Sequence, residues 1–245
     1  MANRSGPTKK RDAQIALVSG EAFQRLAAEL IPIIGAIKEG TTQEMSNEVG
    51  DLVACATNLG LAIELYLKAL LTQLDLPVPQ IHDLRALYDR IPQPVRALIE
   101  VVYDTKWPEQ ERQLQGRVSF TFAKGPIEQP RWDDYKISLA LPDLLARSRD
   151  LFQSWRYIFE FTQPEDSPYQ FHQFEYGLLW CAAEAIKVEI TVRLSGMEEA
   201  AERHGVQLLI LDNEYSEEVA LNNAQMFVKQ GVDLVVEFQV NERVA

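Results

Sequence analysis

The feature that most constrains the fold is an apolar repeat between residues 52 and 74. Apolar side chains recur there at steps of three or four residues: Leu52, Ala56, Leu59, Ile63, Leu67, Leu70 and Leu74. This spacing places them along one stripe of an α-helix. Leu61, Leu65 and Ala69 widen the stripe, so we expect burial on more than one side. Residues 43–74 are therefore predicted to form the central helix of an all-helical bundle.

Helical spacing also extends to either side of this segment, over residues 13–194. An earlier helix is predicted at residues 21–38, where Pro32 should kink or break it because proline has no amide hydrogen. Asp83 is predicted to cap a short helix that ends before Pro92.

Three more helices are predicted in the second half of this region. They are expected at residues 95–104, from Pro142 to Phe159, and at 171–194. Proline is well suited to the first turn of a helix, where its missing amide hydrogen is not needed. The fold class is thus mainly α, with a bundle of four to five helices.

Residues 196–245 have a different period and form a predicted second segment. Two apolar runs, 205–211 and 231–237, each follow an amphipathic helical stretch, and each begins with a glycine. Gly205 and Gly231 are predicted to take left-handed backbone after a helix. Continuously apolar runs are typical of parallel strands covered on both faces. Because two such strands do not make a stable sheet, this incomplete α/β tail either pairs with a partner chain or is a remnant.

Composition excludes some classes of protein. With 47% hydrophobic and 24% charged residues, the chain has the composition of a globular protein. Its net charge of −12 argues against nucleic-acid binding over a large surface, but it does not exclude a local basic groove. No apolar run reaches the ~18 residues of a membrane helix. Residues 1–12 are basic without the apolar stretch of a signal peptide, which predicts a disordered start and a cytoplasmic protein. Cys55 and Cys181 are predicted to be buried free thiols.

Three segments together resemble the HEPN family (higher eukaryotes and prokaryotes nucleotide-binding). They are Glu64 to Leu71, the helix start His82-Asp83-Leu84, and Trp155 to Glu160. The resemblance spans residues 15–194. It implies a helical bundle that commonly dimerises, and many members are toxin or defence ribonucleases while others bind nucleotides or act as non-catalytic partners.

The family's nuclease signature is an arginine followed four to six residues later by histidine, and this chain departs from it. Arg156 matches the arginine, but Phe161 and Thr162 stand where the histidine is expected. None of the three histidines, His82, His172 and His204, has an arginine at that distance upstream. Without imidazole there is no obvious general acid or base, so we expect a non-catalytic protein, or a ribonuclease if it is an enzyme.

The candidate ligand or phosphate-binding residues are Arg156, Glu160, Glu64, Lys68 and His82. Arg156 with Glu160 and Glu64 with Lys68 are spaced i,i+4, which fits either a helical ion pair or, for Arg156, a phosphate contact. His82 either contacts the helix start that follows it or takes part in chemistry. No residue set predicts a metal, and no cofactor is predicted.

A cluster of cations and aromatic residues at 106–136 leaves two interpretations. Such a mixture is typical of a surface for single-stranded RNA. Acidic residues nearly cancel its charge, which favours a long loop covering the bundle. Asp212 is interpreted as a polar residue at a strand end, since no Gly-rich phosphate loop precedes it.

The tail resembles a second family over residues 199–236, namely sugar-binding domains of the periplasmic binding protein and LacI type. The first strand, the hinge and the second lobe are absent. The main hypothesis is a HEPN-like module in defence or stress that binds RNA or nucleotide, forms a homodimer and does not contact a membrane. The alternative is a protein that binds a small sugar-type ligand.

Overall fold

The computed structural model describes residues 6–36, 47–113, 115–123, 138–158, 169–196, 203, 205 and 217–231. The helices in this part of the chain are α1 (Gly6–Gly35), α2 (Asn47–Gln73), α3 (Leu84–Tyr88), α4 (Gln93–Lys106), α5 (Glu109–Gln113), α6 (Leu141–Arg147), α7 (Leu151–Arg156), α8 (Tyr176–Ser195) and α9 (Glu217–Gln230). Two strands, β1 (Val118–Ala123) and β2 (Tyr169–Phe174), form an antiparallel pair. The mainly α fold class is confirmed.

The predicted central helix is α2, and it is buried on more than one side. Its side chains from the stripe and from the widened face are almost fully inaccessible: Leu52, Ala56, Leu59, Ile63, Leu67, Ala69 and Leu70. It packs against α1, α3, α7 and α8. Leu61 and Leu65, which were also expected to widen the buried face, are only partly buried.

Among the described helices, α2 has the length and composition of a membrane span, with a mean hydropathy of 1.3 over its most apolar window. Uninterrupted apolar runs remain short because Glu64 and Lys68 break them. Since 61% of that window is buried inside the protein, the packing of a core helix accounts for the same composition.

Helix α1 begins earlier and ends earlier than predicted. It starts at Gly6, so the expectation of disorder through residue 12 is wrong for residues 6–12; Pro7 fits the first turn of a helix. Pro32 lies inside α1 without breaking it. The proline is exposed, so water can satisfy the carbonyl group that it leaves without a donor, and the helix ends three residues later.

The short helix α3 begins as predicted. The side chain of Asp83 accepts a hydrogen bond from the backbone N–H of Ala86 at 2.9 Å, which is the contact expected of an N-cap. Helix α4 confirms the stretch predicted at 95–104.

The single helix predicted from Pro142 to Phe159 is wrong, because the chain leaves the helix at Ser148 and begins a new one at Leu151. The break has a tertiary cause. The carbonyl group of Arg149 accepts a hydrogen bond from the N–H of Leu84 at 2.9 Å, and the guanidinium of Arg149 donates to the carboxylate of Asp83. The start of α3 is thereby fixed to the junction of α6 and α7.

The helix predicted at 171–194 is correct from Tyr176 onward, including the alternating stretch 186–192, but its start is wrong. Residues 171–174 belong to β2, which pairs with β1 so that Phe120 lies opposite His172. The long loop predicted at 106–136 is likewise wrong in its described part, which contains α5 and β1. Residues 124–137 lie outside the described residues.

A buried polar network joins three helices of the bundle. Tyr66 of α2 donates from its hydroxyl to Gln24 of α1 at 2.6 Å, and the amide of Gln24 donates to Glu184 of α8 at 2.6 Å. Burial, and secondly the charge of Glu184, raise the pKa of the Tyr66 hydroxyl, which keeps it a donor. Gly20 leaves room for this ring, since a Cβ there would lie 2.5 Å from Tyr66 Cε1.

Both cysteines are buried free thiols, as predicted. Cys55 Sγ donates to the carbonyl oxygen of Ala27 at 3.6 Å, linking α2 to α1. Burial raises the pKa of Cys55 and of Cys181 to about 12, so neither forms thiolate near neutral pH.

The chain forms two compact units, Met1–Ser195 and Gly196–Ala245. In the second, α9 ends at Gln230, and Gly231 follows with φ +67°, while Gly205 has φ +64°. Both glycines thus take the predicted left-handed backbone. The predicted strands at 206–211 and 232–237, and Asp212, lie outside the described residues.

We predict that Leu67→Ala lowers the free energy of unfolding by about 2–5 kcal/mol, because its side chain is fully buried in α2 and the change leaves a cavity. Urea denaturation followed by circular dichroism measures this. Leu98→Ala is the control, since Leu98 is 43% exposed and should change stability by only about 0.5 kcal/mol. A loss below about 1 kcal/mol for Leu67→Ala would mean that the packing described for α2 is wrong.

Candidate functional site

One face of α2 brings a glycine, an acid and a base into line at successive turns: Gly60, Glu64 and Lys68. Gly60 lies against the start of α7, where a Cβ would come 3.1 Å from the backbone nitrogen of Phe152. The absence of a side chain therefore allows α7 to approach α2 closely. One turn further on, Glu64 lies beside this contact with 3% of its side chain exposed.

The buried carboxylate of Glu64 is shared by two basic side chains. Lys68 Nζ donates to Oε1 at 2.6 Å, and His82 Nδ1 lies 2.9 Å from Oε2. Because an ionised carboxylate can only accept, this contact fits a hydrogen on Nδ1 of His82 and leaves Nε2 to interact with other groups. A buried charge requires such partners, so this arrangement explains how an acid is accommodated on an apolar helix.

The position of His82 follows from the connection between α3 and α7. His82 precedes Asp83, whose side chain caps α3 and also accepts from Arg149 at the break before α7. The imidazole consequently faces α7 and packs on Phe152, with 5.3 Å between ring centroids. Its side chain remains 40% exposed.

Arg156 lies one turn after Phe152 on α7 and covers the same ring. Its guanidinium carbon is 5.4 Å from the centroid of Phe152 and 5.1 Å from that of Tyr157. Both are distances at which a cation interacts with an aromatic face. Arg156 is exposed and Tyr157 is 37% exposed, so the cation and one ring remain accessible to solvent.

Four of the five predicted site residues therefore belong to one cluster, which we call the Phe152 cluster: Glu64, Lys68, His82 and Arg156, joined by Phe152 and bordered by Tyr157. Glu160 lies outside the described residues, and with it the predicted pair with Arg156. Phe152 and Tyr157 were not predicted as site residues. The i,i+4 spacing of Phe152 and Arg156 was the available signal, since an aromatic ring and a cation at that spacing share one helix face.

Two cations of the predicted RNA surface, Arg112 and Lys106, interact with other side chains of the protein. Arg112 donates to Asp104 at 2.6 Å and lies 4.8 Å above the ring of Tyr103. Lys106 is 8% exposed and lies 5.0 Å from the ring of Trp107. This weakens the RNA interpretation for these two residues; Lys124, Arg131 and Lys136 lie outside the described residues.

The Phe152 cluster offers an accessible guanidinium, an ammonium group, an imidazole nitrogen and aromatic faces, with one carboxylate behind them. Such groups suit a phosphate and a stacked base rather than a metal ion. Within the described part of the chain, no group of three or more His, Cys, Asp or Glu is arranged to hold a metal.

Residues 40–114 match the family model of the HEPN domain. The match covers α2 to α5 and so includes Glu64, Lys68 and His82, but it spans less than half of the chain and does not reach Arg156. The chain is similar to HEPN domains over this segment. Comparisons with curated proteins and with solved structures gave no match. No comparison supports the resemblance of the tail to sugar-binding domains.

We predict that Glu64→Ala lowers the free energy of unfolding by about 1–3 kcal/mol, because Lys68 and His82 lose their shared acceptor at a buried position. Chemical denaturation measures the change. Asp89→Ala is the matched control: Asp89 also accepts from two cations, Arg85 and Arg96, but its side chain is 43% exposed. Its loss should cost about 0–1 kcal/mol. Equal costs for the two variants would contradict the assignment of Glu64 as a buried acceptor.

Proposed function

We propose that this protein is a HEPN-like module that binds a nucleotide or a short single-stranded RNA at the Phe152 cluster, without cleaving it. The observation that supports the proposal most directly is the convergence of Arg156 and His82 on the ring of Phe152. These two residues are 74 positions apart in sequence. The match to the HEPN family model at residues 40–114 includes His82 but not Arg156.

The cluster has the groups that a nucleotide needs. The fork of a guanidinium fits phosphate oxygens in bidentate geometry. Tyr157 offers a partly exposed ring on which a base can stack, and a stacked base contributes about 1–3 kcal/mol without depending on its identity. Arg156, already fixed above two rings, loses little side-chain freedom on binding.

The charge of the whole chain limits the size of the ligand. A net charge of −12 repels a polyanion, so binding relies on the local cations Arg156 and Lys68. A ligand with one to a few phosphates is therefore favoured over a long duplex. The same reasoning predicts a weak dependence of affinity on salt.

We predict that Arg156→Ala weakens binding of a fluorescein-labelled oligoribonucleotide by about tenfold or more, since a charge-assisted hydrogen bond to phosphate is lost. Fluorescence anisotropy at several salt concentrations gives both the affinity and the slope of log K against log salt. That slope should become shallower by about 0.7, the value for one phosphate contact on a single strand.

Arg96→Ala is the control for this measurement. Arg96 also lies over an aromatic ring, 5.7 Å from the centroid of Tyr88, and its side chain is 27% exposed, but it lies on α4. Its replacement should leave the affinity unchanged. If wild-type protein binds neither the oligonucleotide nor ATP, the proposal fails; if both arginine variants lose affinity equally, the site is elsewhere.

A second candidate function, ribonuclease activity, is favoured by the contact between Glu64 and His82. A carboxylate that holds Nδ1–H leaves Nε2 able to take the proton of a ribose 2′-hydroxyl. The 2′-oxygen would then bond to phosphorus while the bond from phosphorus to the 5′-oxygen breaks, and that oxygen would take a proton from water. Arg156 would face the negative charge that develops on the phosphate.

Cleavage assays on a labelled oligoribonucleotide separate the two functions. We expect no products from wild-type protein. Release of a fragment with a 2′,3′-cyclic phosphate that is lost in both His82→Ala and Arg156→Ala, while Arg96→Ala retains it, would replace the binding proposal by the nuclease one.

We further propose that the module acts in defence or stress, in the cytoplasm. The support is the likeness to HEPN domains over residues 40–114. The genes that flank this one provide the test: an adjacent nucleotidyltransferase or defence gene is expected, and a neighbourhood of transporter components would count against it.

A further inference from the structure

A polar cavity of about 260 Å³ lies where α6 passes into α7. Its polar side chains come from the end of α6, from the junction, from α7 and from β2: Arg147, Ser148, Arg149, Asp150, Ser154 and Gln173. We call it the α6–α7 cavity and define it by these residues. Phe152 and Arg156 do not line it, so it is separate from the Phe152 cluster.

Arg149 is the more accessible of the two cations in this cavity, with 59% of its side chain exposed. Its Nη2 donates to the carboxylate of Asp83. Its Nε lies 3.8 Å from the carboxylate of Asp150, which is too far for a hydrogen bond. Neither contact uses Nη1. The guanidinium group is therefore held at one nitrogen and has further N–H groups to offer a ligand.

Arg147 adds a second guanidinium group, which Glu175 orients. Nε and Nη2 of Arg147 donate to the two oxygens of Glu175 at 3.1 and 3.2 Å, and Nη1 donates to the carbonyl of Ser138 at 2.9 Å. Each Nη atom carries a second hydrogen that these contacts do not use. Because both arginines are already oriented, they lose little side-chain freedom when a ligand binds.

The carboxylates near the cavity indicate the charge of its ligand. Glu175 and Asp83 are 5% and 16% exposed, and each is paired with one of the two arginines. Asp150 lines the cavity, but its side chain is 59% exposed, so water screens its charge. The groups that remain for a ligand are mainly N–H donors on planar cations, which fit the oxygens of a phosphate or a carboxylate.

The size and the apolar lining of the cavity favour a small ligand. Its volume is below the about 300–1,000 Å³ that is typical of pockets for drug-sized molecules. The apolar residues among those that line it are Leu151 and Trp155, which are 3% and 2% exposed. Trp155 therefore hardly exposes its ring to a stacked base, in contrast to Tyr157 of the Phe152 cluster.

We propose that the α6–α7 cavity binds a small molecule that carries a phosphate or a carboxylate group, held by the guanidinium groups of Arg149 and Arg147. This inference does not depend on the proposed function, which concerns a different set of side chains.

Protection of arginine side chains from phenylglyoxal tests the site in the wild-type protein. Mass spectrometry of the digested protein gives the rate of modification at each arginine. We expect inorganic phosphate, added at constant ionic strength, to slow the modification of Arg149 several-fold. Arg85, which is 33% exposed and does not line the cavity, should react at an unchanged rate.

Acetate in place of phosphate shows whether a carboxylate is also bound. Protection of Arg149 by either anion supports the proposal and identifies the group that the cavity accepts. Protection by neither anion overturns it, and so does equal protection of Arg149 and Arg85, which would be a general effect of the salt.

A second test uses the dependence of the unfolding temperature on phosphate concentration. Each variant is compared with itself without phosphate, so a change in its intrinsic stability does not affect the result. Arg149→Gln should weaken phosphate binding by about tenfold or more, because a charge-assisted contact is lost. The control is Arg156→Ala, which alters the Phe152 cluster and should keep the wild-type response. A response that Arg156→Ala removes and Arg149→Gln retains would overturn the proposal.

Asp150→Asn tests the sign of the ligand's charge. Removal of a carboxylate beside a bound anion should tighten the binding of phosphate by about two- to fivefold, as expected for one charge at short range in water. Weaker binding in this variant would mean that the cavity uses Asp150 to hold a cation or a hydrogen-bond donor, and the proposal would be wrong.

Discussion

The burial of α2 is the constraint on which the rest of the structure depends. Apolar residues cover it on several sides, so it must be surrounded, and α1, α3, α7 and α8 all pack against it. The polar side chains of α2 therefore need hydrogen-bond partners inside the protein. Tyr66 is joined to Gln24 and Glu184 on one side, while Glu64 is joined to Lys68 and His82 on another. The candidate site thus forms around Glu64, a buried acid that Lys68 and His82 stabilise.

The residues of the site are brought together by a helix cap and by two backbone contacts between segments that are distant in sequence. Asp83 caps α3, the N–H of Leu84 donates to the carbonyl of Arg149, and α7 starts two residues later. Gly60 permits the close approach of that start to α2. Arg156, from the second half of the chain, and His82, from the first half, thereby contact the same ring, that of Phe152.

Sequence spacing was sufficient for features that depend on neighbouring residues. The stripe from Leu52 to Leu70 predicted α2, Asp83 predicted a cap, and Gly231 predicted a left-handed residue after a helix, since each depends on a few adjacent positions. Glu64 and Lys68 were identified as an i,i+4 pair, while His82 and Arg156 were identified separately from them. Their grouping around Phe152 depends on tertiary contacts, which no spacing within one helix specifies.

The incorrect helix predictions also arise from tertiary contacts that the spacing of residues does not specify. Residues 142–159 have a continuous helical pattern, yet the carbonyl of Arg149 is used by α3 and the helix breaks there. Residues 171–174 fit a helix or a strand equally well, and a partner strand about 50 residues earlier decides between them. Pro32 breaks nothing because it is exposed close to the end of α1.

One carboxylate that serves two bases also makes those bases interdependent. An anion that draws the ammonium of Lys68 outward leaves the whole negative charge of Glu64 to the imidazole. By thermodynamic reciprocity, a change at the imidazole would then alter the affinity for that anion by the same factor. Lys68 and His82 are partly exposed, and the side chain that joins them, that of Glu64, is one that solvent hardly reaches.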